Sequence, residues 1–443
     1  MQHHNISVEK RYHFGNDIKE IAYKNKFLVV DPQEAKWIIL TNYSQIKIFR
    51  FLQAGYSVKD ILQNKEFDRK DIQYVLTQIE ARKFGYNNSH LPEKGEELHI
   101  YLTNACNLRC PHCYMFSDTE LQDELTTDEI KGILKWFSSI TKCGVITFSG
   151  GEPSLRKDLA DLVYFGHSCG LEIKLMTNGT KFPVALIDRV YPYLSSVQVS
   201  IDGFSESSNS MIRGNGNFQK ALDTVKAFLS RGVQTIISMT PAYTILKNNL
   251  EGFIEFAKAI VKEYDEYPFE LRFSDELLNG RNISNAEEIN EEYRKYIEAI
   301  QKSIYGDDFR VIEFVRTLMD VTILTNCAFG NLAIACNGDA YLCPRIQALT
   351  PLGNIRQQSM EELYKKALIA RTKTSVFEIG PCCDCEIRYI CGGGCRIDEL
   401  TKFIEENNLL KFDEKKKIKR HCSLGIKERI YDLMIRSNEY FYS

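Results

Sequence analysis

Several things are scarce in this chain of 443 residues. No run of about 18 uninterrupted apolar residues occurs, so no membrane-spanning helix is expected. The first 25 residues, MQHHNISVEKRYHFGNDIKEIAYKN, also lack the apolar stretch of a signal peptide, and a cytoplasmic location is expected. Charge of one sign is not in excess either. The formal net charge is −3, and with no concentrated basic face the sequence gives no reason to expect nucleic acid or an anionic membrane as a partner. There is no internal repeat and no low-complexity block. Cysteine is missing from the whole N-terminal stretch, since none precedes Cys106.

What is present is globular, with 44% hydrophobic and 26% charged residues, and the length implies two or three domains. The fourteen cysteines are not expected to form disulfides in a reducing compartment, so metal ligation or redox chemistry is the leading explanation for those that cluster. Cys106, Cys110 and Cys113 form one group, Cys143 and Cys169 stand apart, and nine lie between Cys327 and Cys422.

Residues 26–86 read as a small separate unit. KFLVVD (26–31) and AKWIIL (35–40) have the composition of two short strands. QIKIFRFLQAG (45–55), the spacing of Val58, Ile61 and Leu62, and that of Ile72, Val75, Leu76 and Ile79 predict amphipathic helices. A polar linker follows over 86–97. From there to about residue 275, short apolar strands alternate with amphipathic helices: LHIYL (98–102), GVITFSG (144–150), LEIKLM (171–176), VQVSI (197–201), VQTIISM (233–239) and FELRF (269–273). That alternation predicts parallel strands joined by crossovers, an open or partial barrel whose chemistry sits on loops at the strands' C-terminal ends. Residues 276–320 are charged and helical, 322–425 are cysteine-rich with short strands and turns, and the tail from 426 is expected to be a helix.

The stretch CNLRCPHC (106–113) directly follows LHIYL, which places three thiols on a loop at a strand's C-terminal end. A structural zinc is normally closed by four ligands, and an iron–sulfur cube is usually held by four cysteines; three leave one iron open. The next strand ends in FSGGEPSLR (148–156), where glycines permit close approach to backbone and Glu152 can accept from an ammonium group. A later one ends in VSIDG (199–203), with Arg213 following in MIRGNGNF.

These motifs resemble the radical S-adenosylmethionine (AdoMet) superfamily. The resemblance implies a cluster on Cys106, Cys110 and Cys113 whose open iron chelates AdoMet. It also implies contacts from Gly150, Gly151 and Glu152 to the AdoMet amino group, from Ser200 and Asp202 to the ribose, and from Arg213 to the carboxylate. No catalytic side chain is assigned.

The second cysteine region has a stricter pattern. Cys327 is followed by ten residues, Gly338, four residues and Cys343; then come PCCDCEIRYICGGGC and Cys422. Between Cys382, Cys385, Cys391 and Cys395 the gaps are two, five and three. This pattern is similar to the seven-cysteine SPASM extension of radical enzymes that act on peptides. The resemblance implies auxiliary clusters, one on Cys382, Cys385, Cys391 and Cys422, the other on Cys327, Cys343 and Cys395 with either an open iron or Cys336. Cys383, Cys143 and Cys169 are read as ordinary buried thiols.

VVDPQEAKWIIL and the strand–strand–three-helix order resemble the PqqD-like element that binds leader peptides, whose strand edge can pair with an extended chain. The fold expected from all of this is α/β: a partial (β/α)6 TIM-type barrel over 96–280, a winged-helix-like recognition domain over 1–90, a helical bridge over 281–321, an iron–sulfur SPASM domain over 322–425 and a C-terminal helix over 426–443. The resemblance implies three 4Fe–4S clusters, AdoMet, a precursor peptide with a leader, and an electron donor such as flavodoxin or ferredoxin. The activity implied is that of a peptide-modifying oxidoreductase resembling sactisynthases, which joins a cysteine sulfur to a carbon. The same apparatus serves carbon–carbon linkage, sulfatase-type oxidation, decarboxylation or epimerisation, and a silent peptide-binding scaffold is the non-enzymatic alternative.

Overall fold

The protein is described by a computed structural model covering residues 6–85, 96–320, 324–397, 418–419, 422 and 424–442. Nearly all of the expected linker at 86–97 lies outside these. The chain divides into two compact units, one drawing on residues 1–93, 310–327 and 372–443, the other on 94–309 and 328–371. The cysteine-rich region therefore contributes to both.

The first unit opens with an antiparallel meander of β1 (Lys19–Tyr23), β2 (Lys26–Asp31) and β3 (Lys36–Leu40), in the order β1-β2-β3. Two strands were expected here, and β1 is the addition. Its sequence KEIAY is mostly exposed, and it is recruited by a two-residue turn in which Lys24 and Asn25 both take positive φ (47° and 59°), the twist that joins paired strands tightly. Helices α1 (Tyr43–Gln53), α2 (Val58–Gln63) and α3 (Arg69–Arg82) follow. Asn42, Ser57 and Asp68 start them by accepting otherwise orphaned backbone N–H groups. Val29, Ile38 and Leu40 of the sheet bury against Ile46, Phe49, Val75 and Ile79 of the helices, so apolar periods of two and of 3.6 meet in one core.

The barrel unit begins with β4 (Glu97–Tyr101) and continues through α4 (Thr127–Ile140), β5 (Val145–Ser149), α5 (Leu159–Ser168), β6 (Glu172–Thr177), α6 (Val184–Val190), β7 (Ser196–Ser200), α7 (Glu206–Arg213), α8 (Phe218–Leu229), β8 (Gln234–Met239), α9 (Tyr243–Asn248), α10 (Leu250–Glu263), β9 (Phe269–Phe273) and α11 (Ala286–Tyr305). All six strands pair in parallel and in sequence order: a partial (β/α)6 barrel. Helix α4 shows why the crossovers form. Thr126 caps its start, Glu129 returns to the Thr126 N–H, and Ile130, Ile133, Leu134 and Phe137 make one buried face.

Helix α12 (Phe309–Asp320) leads back to the first unit. The barrel unit then gains β10 (Ala333–Ile334), β11 (Asp339–Tyr341), β12 (Gly353–Asn354) and α13 (Met360–Lys373). β10 pairs in parallel with β4, so the sheet has nine strands in the order β12-β11-β10-β4-β5-β6-β7-β8-β9. The remaining elements, β13 (Ile379–Gly380), α14 (Arg388–Cys391), β14 (Ile418–Lys419) and α15 (Leu424–Tyr442), belong to the first unit. There the Trp37 indole donates to the Met434 carbonyl at 3.3 Å, and the Arg82 guanidinium lies 3.8 Å over the Trp37 ring. Among the described residues no helix is long and apolar enough to cross a membrane.

Candidate active site

Parallel strands turn their C-terminal ends to the same rim, and the loops leaving that rim enclose a cavity of about 430 Å³. This is a ligand-sized space. Cys106, Cys110 and Cys113 line it from the loop after β4, Gly150 and Gly151 from the loop after β5, and Ser200 and Arg213 from the β7 region.

The cysteine loop is held rigidly. The Cys106 N–H donates to the Asp118 carbonyl at 2.9 Å and the Cys113 N–H to the Cys110 carbonyl at 3.1 Å. Asn107 donates to Thr180 Oγ1 at 2.8 Å and accepts from Asn178 Nδ2 at 3.0 Å, which ties the loop to the TNG turn after β6. From the other side, the Asn282 N–H donates to the Pro111 carbonyl at 2.7 Å and Arg281 Nη2 to the Ser117 carbonyl at 2.6 Å. Arg281 was not singled out in the sequence, where residues 276–320 read only as charged and helical.

Gly150 and Gly151, which line the cavity, also have a structural task. Gly150 takes φ +135°, and a Cβ on it would stand 2.5 Å from the Thr103 carbonyl oxygen; one on Gly151 would stand 2.2 Å from that of Ala105. The Gly151 and Glu152 N–H groups donate to those same carbonyls, each at 2.8 Å. The glycines let two backbones touch, carrying the β4–β5 pairing beyond the strands and into the cavity wall.

Glu152 and Asp202 lie behind that wall, both fully buried, and neither lines the cavity. Glu152 accepts from Thr177 Oγ1 at 2.6 Å, the Asn178 N–H at 2.7 Å and the Ser154 N–H at 3.0 Å. Asp202 accepts from the Thr240 N–H at 2.7 Å and pairs with Arg213 Nε at 2.6 Å and His112 Nε2 at 3.4 Å. Burial alone would lower the Arg213 pKa, but Asp202, with Cys110 and Cys106, outweighs it and raises it further. Arg213 is therefore a fixed cation beside two of the thiols. His112, also unforeseen, lines the cavity from within the cysteine loop.

The residues present fit an anionic cluster: three thiols converge on one cavity beside a buried guanidinium. Burial pushes the Cys106 thiol up to about 11 and raises that of Cys110, so metal binding must displace protons. Among the described residues no group of three or more His, Cys, Asp or Glu is arranged to hold a single metal ion. A cube differs in that each thiolate takes its own iron.

In the other unit, Cys382 begins a single 3₁₀ turn and the Cys385 N–H donates to its carbonyl at 3.0 Å. Cys391 closes α14, its N–H donating to the Ile387 carbonyl at 2.8 Å. Gly392, Gly393 and Gly394 all take positive φ (66°, 76°, 69°), reversing the chain before Cys395. Arg396, fully buried, donates from Nε to the Thr374 carbonyl at 2.7 Å and from Nη1 to those of Gly392 and Gly394. Cys422 and Cys385 both lie within electrostatic reach of Lys427. Cys327 and Cys395 fall in this unit, Cys343 in the barrel unit. Cys336 is buried on the β10–β11 turn, its thiol pushed up to about 12 by burial and by Glu124. Of the three cysteines read as ordinary buried thiols, Cys143 is exposed and Cys169 and Cys383 are half-buried; each belongs to a loop, turn or helix end rather than a core face.

A partial six-stranded parallel barrel with three cysteines at its C-terminal mouth is the architecture of radical AdoMet proteins. Residues 100–260 match the Radical SAM superfamily, and residues 326–386 match SPASM, the iron–sulfur cluster-binding domain. The chain carries a Radical SAM domain and, after it, a SPASM domain. It is similar to an AdoMet-dependent heme synthase of Methanosarcina barkeri, 27% identical over 67% of this chain and 89% of the relative. It is also similar to the mycofactocin maturase MftC of Mycolicibacterium smegmatis, 24% identical over 66% and 76%. A solved structure of native anSMEcpe with bound AdoMet and Cp18Cys peptide shares the fold, with TM-score 0.56 and 17% identity, covering 78% of this chain and 96% of that one.

Proposed function

We propose that the protein is a maturase of a ribosomally made peptide, which binds the precursor's leader through its N-terminal unit and removes hydrogen from the core peptide to join a cysteine sulfur to a carbon. The observation that carries the reading is the convergence of Cys106, Cys110, Cys113, Gly150, Gly151, Ser200 and Arg213 on one cavity at the barrel mouth. When bound, a reduced cluster and AdoMet supply a 5′-deoxyadenosyl radical, and that chemistry is the cofactors' own.

The chain's part is to bind, orient and exclude. Arg213, fixed by Asp202, would hold the AdoMet carboxylate. The backbone of Gly150 and Gly151 would take the amino group, and Ser200 the ribose. Glu152 acts behind them by holding Thr177 and Asn178, and through Asn178 the cysteine loop. Cys382, Cys385, Cys391 and Cys422 would hold an auxiliary cluster.

Two relatives support opposite substrate classes, a heme synthase and a maturase, and the N-terminal unit favours the peptide. Its small sheet has edge strands to which an extended chain can add. The test is anaerobic reconstitution with iron and sulfide, reduction with AdoMet, and co-expression with a cysteine-containing peptide encoded nearby. Release of 5′-deoxyadenosine and a loss of two hydrogens from the peptide are expected. A pigmentless, zinc-only protein that releases no deoxyadenosine would overturn the reading, and an unchanged peptide mass would exclude that peptide as substrate.

A further inference from the structure

The function proposed above leaves one cluster of charged side chains in the first unit without a task. Glu386 follows Cys385 directly. Its carboxylate is gripped by Lys427 Nζ, at 2.9 Å and 3.0 Å to the two oxygens, and by the Tyr431 hydroxyl. Lys427 and Tyr431 lie one turn apart on α15, the i, i+4 spacing that puts two side chains on one helix face. The same helix reaches the N-terminal sheet. Lys24, in the β1–β2 turn, pairs with Asp432 at 2.6 Å, the Tyr23 and Tyr431 rings meet edge-on at 5.3 Å, and Trp37 of β3 donates to the Met434 carbonyl. Cys385 and Cys422 both act electrostatically on Lys427 and on Tyr431.

We infer that Lys427, Glu386 and Tyr431 are positioning residues for the Cys382/Cys385/Cys391/Cys422 site, and that α15 is the strut through which the N-terminal sheet bears on that site. The inference rests on the proposed auxiliary cluster. Its physical content is twofold. A cation next to two cluster thiolates stabilises the more negative, reduced state, and hydrogen bonds and charge around the sulfurs set a cluster's potential. A carboxylate clamped bidentately from a helix also fixes the backbone of Cys385 relative to that helix.

The test uses the full chain, reconstituted anaerobically, with iron content and EPR-monitored reductive titration as readouts. In Lys427→Gln the auxiliary midpoint potential is expected to move to a more negative value while the signal assigned to Cys106, Cys110 and Cys113 keeps its own, and Lys427→Arg is expected to restore most of the shift. Tyr431→Phe, which removes one hydrogen bond and keeps the ring, is expected to broaden the auxiliary EPR signal. Loss of the auxiliary iron in Lys427→Gln with retention in Lys427→Arg supports the same conclusion. Full iron content with an unshifted potential in Lys427→Gln and an unaltered signal in Tyr431→Phe overturns it. Wild-type protein that binds iron only at the first site overturns the auxiliary cluster itself, and the two failures are told apart by the iron count.

Discussion

Arg213 Nε stands 2.6 Å from Asp202 Oδ2, and Asp202 has no exposed surface. The pair spans the cavity wall: the guanidinium lines the cavity and the carboxylate sits behind it. Asp202 thus serves the cavity through Arg213.

Asp202→Asn removes the countercharge and leaves a buried cation unpaired. Breaking a buried pair from one side costs about 3 kcal/mol or more. Denaturant unfolding is expected to show a loss of that order, and equilibrium dialysis a fall in AdoMet affinity on the order of tenfold, the equivalent of about 1.4 kcal/mol. Unchanged values in both measurements would count against the positioning role.

Gly151→Ala is expected to disrupt the cysteine loop, since the new Cβ would stand 2.2 Å from the Ala105 carbonyl and overpacking typically costs about 1–3 kcal/mol. Reconstituted Gly151→Ala protein should hold about four fewer irons per chain, measured by iron assay. Gly132→Ala, where a Cβ meets nothing within 4 Å, should keep them.

His99 on β4 makes stability depend on pH. Its ring packs on Tyr101 at 4.5 Å, its Nε2 is buried with no partner among the described residues, and burial lowers its pKa to about 4. The unfolded chain binds this proton near pH 6.5 and the folded one near 4, so the unfolded state takes up more protons in between. Stability is therefore full above about pH 6.5 and falls as pH drops toward 4, by roughly 3 kcal/mol from this group. Urea unfolding across that window should show the slope, and His99→Leu should flatten it.

Thr126→Ala removes the cap of α4 and should cost about 1 kcal/mol. Arg356→Gln should lower stability at low salt and do so less at high salt, because its partner Glu129, held down to about 2 by Arg356 and Thr126, is only half-buried and the pair is open to screening. Thermal scans at two salt concentrations separate the two effects.

Much of the barrel is legible in the sequence because apolar alternation and helix periodicity are set by burial. The expected strands from LHIYL to FELRF fall within one residue of β4 to β9. β1 escaped because Lys19, Glu20 and Ala22 of KEIAY are exposed, leaving too little apolar pattern to read. At the site, the spacing of cysteines and glycines marks which loops meet at the rim, but not what touches what. Glu152 and Asp202 carry no signature that separates a side chain facing a ligand from one that holds its neighbour. Arg281, His112 and Lys427 act through partners in other loops or helices, and pairings between distant segments leave no local trace. Gly150 and Gly151 are legible as glycines that let a ligand approach, and the fold adds a second reason, backbone against backbone.

The parallel pairing of Ala333 and Ile334 with His99 and Ile100 orders events in time as well as space. While the chain is being synthesised, the strand that leads into the cysteine loop must wait with one bare edge until the hairpin with Cys336 and Cys343 emerges. During that interval the unsatisfied edge invites pairing with another nascent chain, so a fragment ending after β9 should aggregate where the full chain stays dispersed.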